Sequence, residues 1–204
     1  MVRMPYTRVA LAAALVTAVA CSSPRPDDNP ADYVAGIAAA RAAKDAQFQH
    51  EDDPIPASRK AEFLPLAYFP ADPEYHIAAA LKPADQQTTL MMPTSSGQLR
   101  RMIRLGTLEF TLKGQPMTLT AFTEKDLDQL FVPFSDLTSG TETYAAGRFL
   151  DLSRTATNLY ELDFNKAYTP YCYYNASFEC PYPPPENRLK IPIHAGERMK
   201  KAGS

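Results

Sequence analysis

Two stretches hold most of the side chains that could act on a ligand: PFSDLTSGTETYAAGRFLDL, from Pro133 to Leu152, and LYELDFN, from Leu159 to Asn165. In the first, Asp136, Thr138, Ser139 and Gly140 have the composition of a turn in which short polar side chains bond nearby backbone. Beyond it, an extended chain would put Glu142, Tyr144 and Arg148 on one face, since side chains alternate along a strand. In the second, Leu159, Glu161, Asp163 and Asn165 share a face, opposite Tyr160, Leu162 and Phe164. The short link SRTAT predicts that the two strands pair as a hairpin, bringing Glu142 and Arg148 against Asp163 and Asn165. An arginine among carboxylates, with a tyrosine beside it, can grip a polar ligand or displace a carboxyl pKa. The same residues can equally close a network on themselves. Asp136, Glu142 or Asp163 could also serve as acid and base of a hydrolase, with Arg148 holding the substrate.

A third stretch, YTPYCYYNASFECPYPPPEN, concentrates Tyr168, Tyr171, Tyr173, Tyr174 and Tyr182 around Cys172 and Cys180. The cysteines close a nine-residue loop and are expected to form a disulfide. They lack the Cys-x-x-Cys spacing of a redox pair, and His50, His76 and His194 are too scattered to complete a metal site. The tyrosines could stack on a sugar or a peptide proline, or pack against the PYPPP strap. No nucleophile elbow, phosphate-binding glycine loop or dinucleotide fingerprint is present, and no metal or cofactor is expected.

The N-terminus predicts where these residues work. Arg3 and Arg8 precede a 12-residue apolar run, Val9–Ala20, which ends in small residues and Cys21. That is the layout of a secretory signal, too short for a spanning helix of about 20 residues. A cysteine at that point resembles the bacterial lipoprotein signal, in which it is acylated and becomes the mature N-terminus. Acyl chains would anchor the protein without a membrane span. The expected organisation is a signal peptide (1–20), a Pro-rich tether (21–32), a helix (33–49) and a β-rich domain (60–197). The location would be the bacterial envelope, on the outer membrane and facing the periplasm.

Loss of Arg3 and Arg8 with the signal moves the net charge from −2 to −4. A mildly acidic chain with no basic run excludes a nucleic acid partner. Nineteen prolines against eight glycines argue against long helices and for turns and extended segments. One helix follows the tether, with Asn29 as its cap, Pro30 at its first position, and Val34, Ile37, Ala38, Arg41, Asp45 and Phe48 near one side. From Phe63 onward the apolar period is that of strands. TLEFTLKGQPMTLTAF predicts a hairpin turning at Gly114-Gln115, and RLKIPI predicts a last strand. Eight to ten short strands imply a mainly β fold, an antiparallel sandwich or barrel-like sheet, or α+β if the helix is counted.

YFPADPEYHI, LEFTL, LFVPFSDLTSGTETYAAGR, LDFNKAYTPYC and CPYPPPENRL followed by AGE together resemble a bacterial family known as domain of unknown function 1684. The resemblance runs from Tyr33 to Glu197. Its motif positions fall here on Asp136, Thr138, Gly140, Glu142, Tyr144, Gly147, Arg148, Asp163, Asn165, Tyr168, Cys172, Cys180, Asn187 and Leu189, which adds Asn187 to the candidates. The family implies no activity. The expectation is therefore a binding module for a small polar, saccharide or peptide ligand, with a carboxylate hydrolase or a structural envelope protein as alternatives.

Overall fold

A computed structural model describes residues 29–51, 54–124 and 129–200. The signal peptide, Cys21 and most of the tether lie outside the described residues. Helix α1 spans Pro30–His50 and is capped by Asn29, whose Oδ1 accepts the Ala31 N–H at 3.0 Å. It therefore begins inside the stretch assigned to the tether. Only Ile37 and Phe48 of α1 are buried, in keeping with its thin apolar stripe.

A single turn, α2 (Lys60–Phe63), and a two-residue strand, β1 (Ala67–Tyr68), lead into the sheet. Six strands form it: β2 (His76–Pro93), β3 (Leu99–Leu112), β4 (Gln115–Thr123), β5 (Gln129–Phe134), β6 (Arg148–Ser153) and β7 (Leu159–Asp163). They run antiparallel in the order β6-β5-β4-β3-β2-β7 and curl into a nearly closed barrel. A last strand, β8 (Glu197–Arg198), pairs with β1. The mainly β, barrel-like expectation holds.

The barrel core follows the alternation read from sequence. Leu108, Phe110 and Leu112 of β3 meet Leu119, Leu130, Val132, Leu150 and Leu162 inside. The hairpin turn lies at Lys113-Gly114, one residue earlier than expected. Both residues have positive φ, 50° and 75°, the conformation that matches strand twist in a two-residue turn.

One long strand, β2, with a register shift between Pro83 and Thr88, takes in most of EYHIAAAL and TTLMM. Two other expectations fail. RLKIPI is no strand, because its carbonyls and amides are spent on the 134–137 segment and on Arg148. Nor do β6 and β7 form a hairpin. They are the two ends of the sheet order, and β7 pairs with β2, His76 opposite Asp163.

Candidate functional site

The residues singled out by sequence do not form one site. The chain from Asp136 to Gly147 folds as successive turns, so Glu142, Tyr144 and Arg148 share no strand face. Gly147 makes this possible. Its φ is +86°, and a Cβ there would sit 2.3 Å from the Phe134 carbonyl oxygen, so no other residue fits.

Arg148 then points inward and is fully buried. Nη2 donates to Asp136 Oδ2 at 2.9 Å and to the Ile193 carbonyl at 2.8 Å. Nη1 donates to the carbonyls of Ala195 and Glu197, and the guanidinium lies 5.3 Å from the Phe134 ring centre. Burial pulls its pKa down, while the Asp136 charge pulls it up. Asp136 Oδ1 accepts from Thr138 N and Oγ1 at 2.8 and 2.6 Å, and from Ile193 N at 3.1 Å. Both carboxylate oxygens are occupied. The ion pair clamps the 193–197 strap to the barrel.

Asp163 and Asn165 belong to a second cluster. Asp163 Oδ1 accepts the Tyr33 hydroxyl at 2.8 Å and the Asn165 N–H at 3.0 Å. Asn165 exchanges bonds with the Asp72 backbone, 2.9 Å at Oδ1 and 2.8 Å from Nδ2. Burial, then the bond to Asp163, raises the Tyr33 phenol. This cluster fastens α1 and the 69–75 segment to β7, and neither Arg148 nor Glu142 joins it. Glu142 lies at the surface instead, 3.0 Å from His194 Nε2.

Asn187 is sealed between β4 and β5. Its Nδ2 donates to Thr120 O at 2.9 Å and Pro133 O at 2.7 Å, and its Oδ1 accepts Thr120 N at 2.7 Å. The register that pairs Phe122 with Phe131 would set Thr120 opposite Pro133. Proline has no N–H to give, and the Asn187 amide supplies the missing pairing.

The tyrosine segment binds α1 and α2 through ring contacts. Tyr174 packs edge-on against Phe48 and Phe63, at 6.4 and 5.1 Å, and Tyr173 contacts Tyr144 at 5.1 Å. Burial pushes the Tyr144 phenol up to about 12. Cys172 and Cys180 are free thiols in this structure, with the Cys172 N–H donating to Cys180 Sγ at 3.1 Å. The Cys180 thiol, with Ser95 and Tyr144 beside it, lowers the Cys172 pKa, and the shared proton raises that of Cys180. Glu197, absent from the candidates, is a hub: Lys44 Nζ, Thr169 N and Tyr174 OH reach it at 2.6, 2.8 and 3.0 Å. Its position in AGE, beside the Gly196 turn, was the available signal.

A cleft of about 460 Å³ lies elsewhere, on the outer side of the sheet beneath residues 168–181. Five rings wall it in sequence. Phe131 meets Phe149 at 4.7 Å and 72°, Phe149 meets Tyr168 at 5.8 Å and 88°, Tyr168 meets Tyr171 at 6.3 Å and 48°, and Tyr171 meets Phe178 at 5.4 Å and 81°. Arg100, Glu124, Asp151 and Glu179 supply its charges. Tyr168 OH donates to Asp151 Oδ2 at 2.8 Å. The rings remove enough water to raise the Asp151 carboxyl above the ordinary aspartate value, although Tyr168 pulls the other way. Of the residues singled out from the sequence, Tyr168, Tyr171 and Cys180 line this cleft. Its outward Phe149 and Asp151 alternate with Leu150 and Leu152 in RFLDLS, a pattern legible in the sequence.

A second groove, about 550 Å³, follows the seam between β6 and β7. It is larger and carries Asp151, Glu161, Asp163 and Lys166 among threonines, serine and leucines, but has one ring, Tyr160. Among the described residues no group of three or more His, Cys, Asp or Glu is placed to hold a metal ion, and no helix is long and apolar enough to cross a membrane.

Fold and cleft together define a small β-barrel domain with an external aromatic pocket. The chain belongs to the family "Protein of unknown function (DUF1684)", whose model matches residues 61–198. A solved relative is the uncharacterized protein from gene locus rrnAC0354 of Haloarcula marismortui, determined by solution NMR. It is 34% identical, with 85% of this chain and 97% of that chain covered and a TM-score of 0.66. No curated protein is significantly similar to the chain.

Proposed function

We propose that this protein is a binding module of the bacterial cell envelope, held on the outer membrane by lipid on Cys21, whose external aromatic cleft receives a small ligand. One observation carries the reading: five rings joined by four consecutive contacts wall a cleft of about 460 Å³, within the size range of small-molecule sites. Saccharides and small peptides suit such walls, because flat rings give large contact area at low entropic cost. The hydrolytic alternative draws no support from Asp136, whose oxygens are both bonded internally, or from Asp163, which is buried with its Oδ1 taken up by Tyr33 and Asn165.

In an oxidising envelope, Cys172 and Cys180 join as a disulfide, each giving up one proton and one electron to the disulfide of an oxidant protein, which is reduced to its dithiol. Closing so short a loop adds about 2–3 kcal/mol on the chain-entropy model. It fixes the segment carrying Tyr171 and Phe178 over the cleft.

Calorimetric titration with N-acetylglucosamine, tri-alanine and phenol tests the module. Saturable binding of at least one probe, weakened at least about tenfold in Phe178→Ala and kept in Glu142→Gln, is the expected result. Absence of binding by all three, or equal binding by Phe178→Ala, would overturn it. Anchoring is tested separately: Cys21→Ser should move the protein from the membrane fraction to the soluble fraction.

A further inference from the structure

The cleft's charges are unequal. Three carboxylates, Glu124, Asp151 and Glu179, stand on its lining against one arginine. That arginine is already committed, with Arg100 Nη1 on Glu124 Oε1 at 3.2 Å and Nη2 on the Glu179 carbonyl at 2.9 Å. Ser96 Oγ bonds one oxygen of Glu179 at 2.9 Å. Asp151 takes one hydrogen bond, from Tyr168, and its Oδ1 accepts none among the described residues. The lining is therefore net negative beside a chain of π faces and edges.

Rings set at steep angles to one another, beside a carboxylate, form a box for a cation. Each π face is electron-rich, and the attraction grows as water is excluded. One cleft ring already accepts one: Lys44 Nζ lies 5.1 Å from the Tyr168 ring centre, and 5.2 Å from that of Phe48 outside the cleft. Glu197, 2.6 Å away, neutralises that ammonium, so it leaves the cleft's negative balance in place. An anionic ligand would face the carboxylates, and a neutral one would leave the Asp151 carboxylate with only the through-space attraction of Lys44.

We propose that the ligand of this cleft carries an alkylammonium head group, seated among Phe149, Tyr168, Tyr171 and Phe178 and paired with Asp151. This rests on the cleft being the binding site. A bound cation favours the ionised form of Asp151, so binding should release a proton where that carboxyl is partly protonated.

Choline and its neutral isostere 3,3-dimethylbutan-1-ol separate the two ideas, because they share shape and differ in charge. Both are titrated into the full chain at neutral pH, with amide chemical shifts as readout. The expected result is choline at least about tenfold tighter than the alcohol, with shifts at Phe149, Asp151, Tyr171 and Phe178. Asp151→Asn, which preserves an acceptor for Tyr168, should remove the preference and leave alcohol binding unchanged. Equal affinity for both probes at the cleft overturns the cation assignment and leaves the cleft as a binding site. Binding of phenol or N-acetylglucosamine there without choline does the same. Silence from every probe overturns both.

Discussion

The Asn187 side chain donates to the carbonyl of Pro133 at 2.7 Å, at the place where β4 and β5 would otherwise lack a pairing. A proline is tolerated inside the sheet because a side-chain amide from a distant strap replaces the absent backbone donor. Asn187→Ala leaves Thr120 N, Thr120 O and Pro133 O buried without partners. At about 1–3 kcal/mol for each unsatisfied group, urea denaturation should show a loss of about 3 kcal/mol or more. Asn187→Asp should cost as much, since a carboxylate cannot donate to the two carbonyls. A loss below about 1 kcal/mol in either variant would refute this role.

Arg148 performs the corresponding task for the C-terminal strap. Arg148→Met strips the Asp136 carboxylate of its ion pair and three carbonyls of their donor. Breaking a buried pair by removing one partner costs about 3–5 kcal/mol. The double variant Asp136→Asn/Arg148→Met should recover part of that loss in the same assay. Additive losses would show that the two side chains are not coupled.

Burial raises the Asp151 carboxyl, so the folded state holds this proton more tightly than the unfolded chain, whose aspartates titrate near about 3.9. Its contribution to stability is complete below that value and declines as pH rises through the elevated native pKa. Asp151→Asn should therefore flatten the stability–pH curve over that window and be at least as stable as wild type at neutral pH. A variant curve parallel to wild type would contradict the assignment.

The two thiols should differ in reactivity. Cys172 is partly exposed with a lowered pKa, and Cys180 is buried with a raised one. Iodoacetamide should modify Cys172 first in the reduced protein, with a midpoint below the ordinary thiol value of about 8.5. Mass spectrometry of the time course decides it, and faster labelling of Cys180 would reverse the order. After exposure to air, intact mass should fall by two hydrogens in wild type and not in Cys172→Ser.

Alternation read in the sequence carried the fold a long way. Leu108, Phe110 and Leu112 lie inside as their spacing requires, and Asn29 caps the helix it was expected to cap. The site was less legible, for a physical reason. Parity predicts a shared face only while the chain stays extended, and the turns ending at Gly147 break it before Arg148. Which strands meet is set by barrel closure, so the short SRTAT link suggested a hairpin that the sheet order rules out. Asp136, Asn165, Asn187 and Arg148 form a dense polar motif because buried polar groups need specific partners. Phe131, Phe149 and Phe178 carry no such motif, since many apolar side chains can wall a cleft.

The central claim is that ligands enter the cleft beneath residues 168–181 rather than the polar motif around Arg148 or the seam between β6 and β7. Amide chemical-shift mapping with phenol measures this directly, because its ring can fit either opening. The account predicts the largest shifts at Phe131, Phe149, Tyr171 and Phe178, with little change at Thr157, Leu159 or His194. Shifts concentrated along the β6–β7 seam, or around Glu142 and His194, would contradict it.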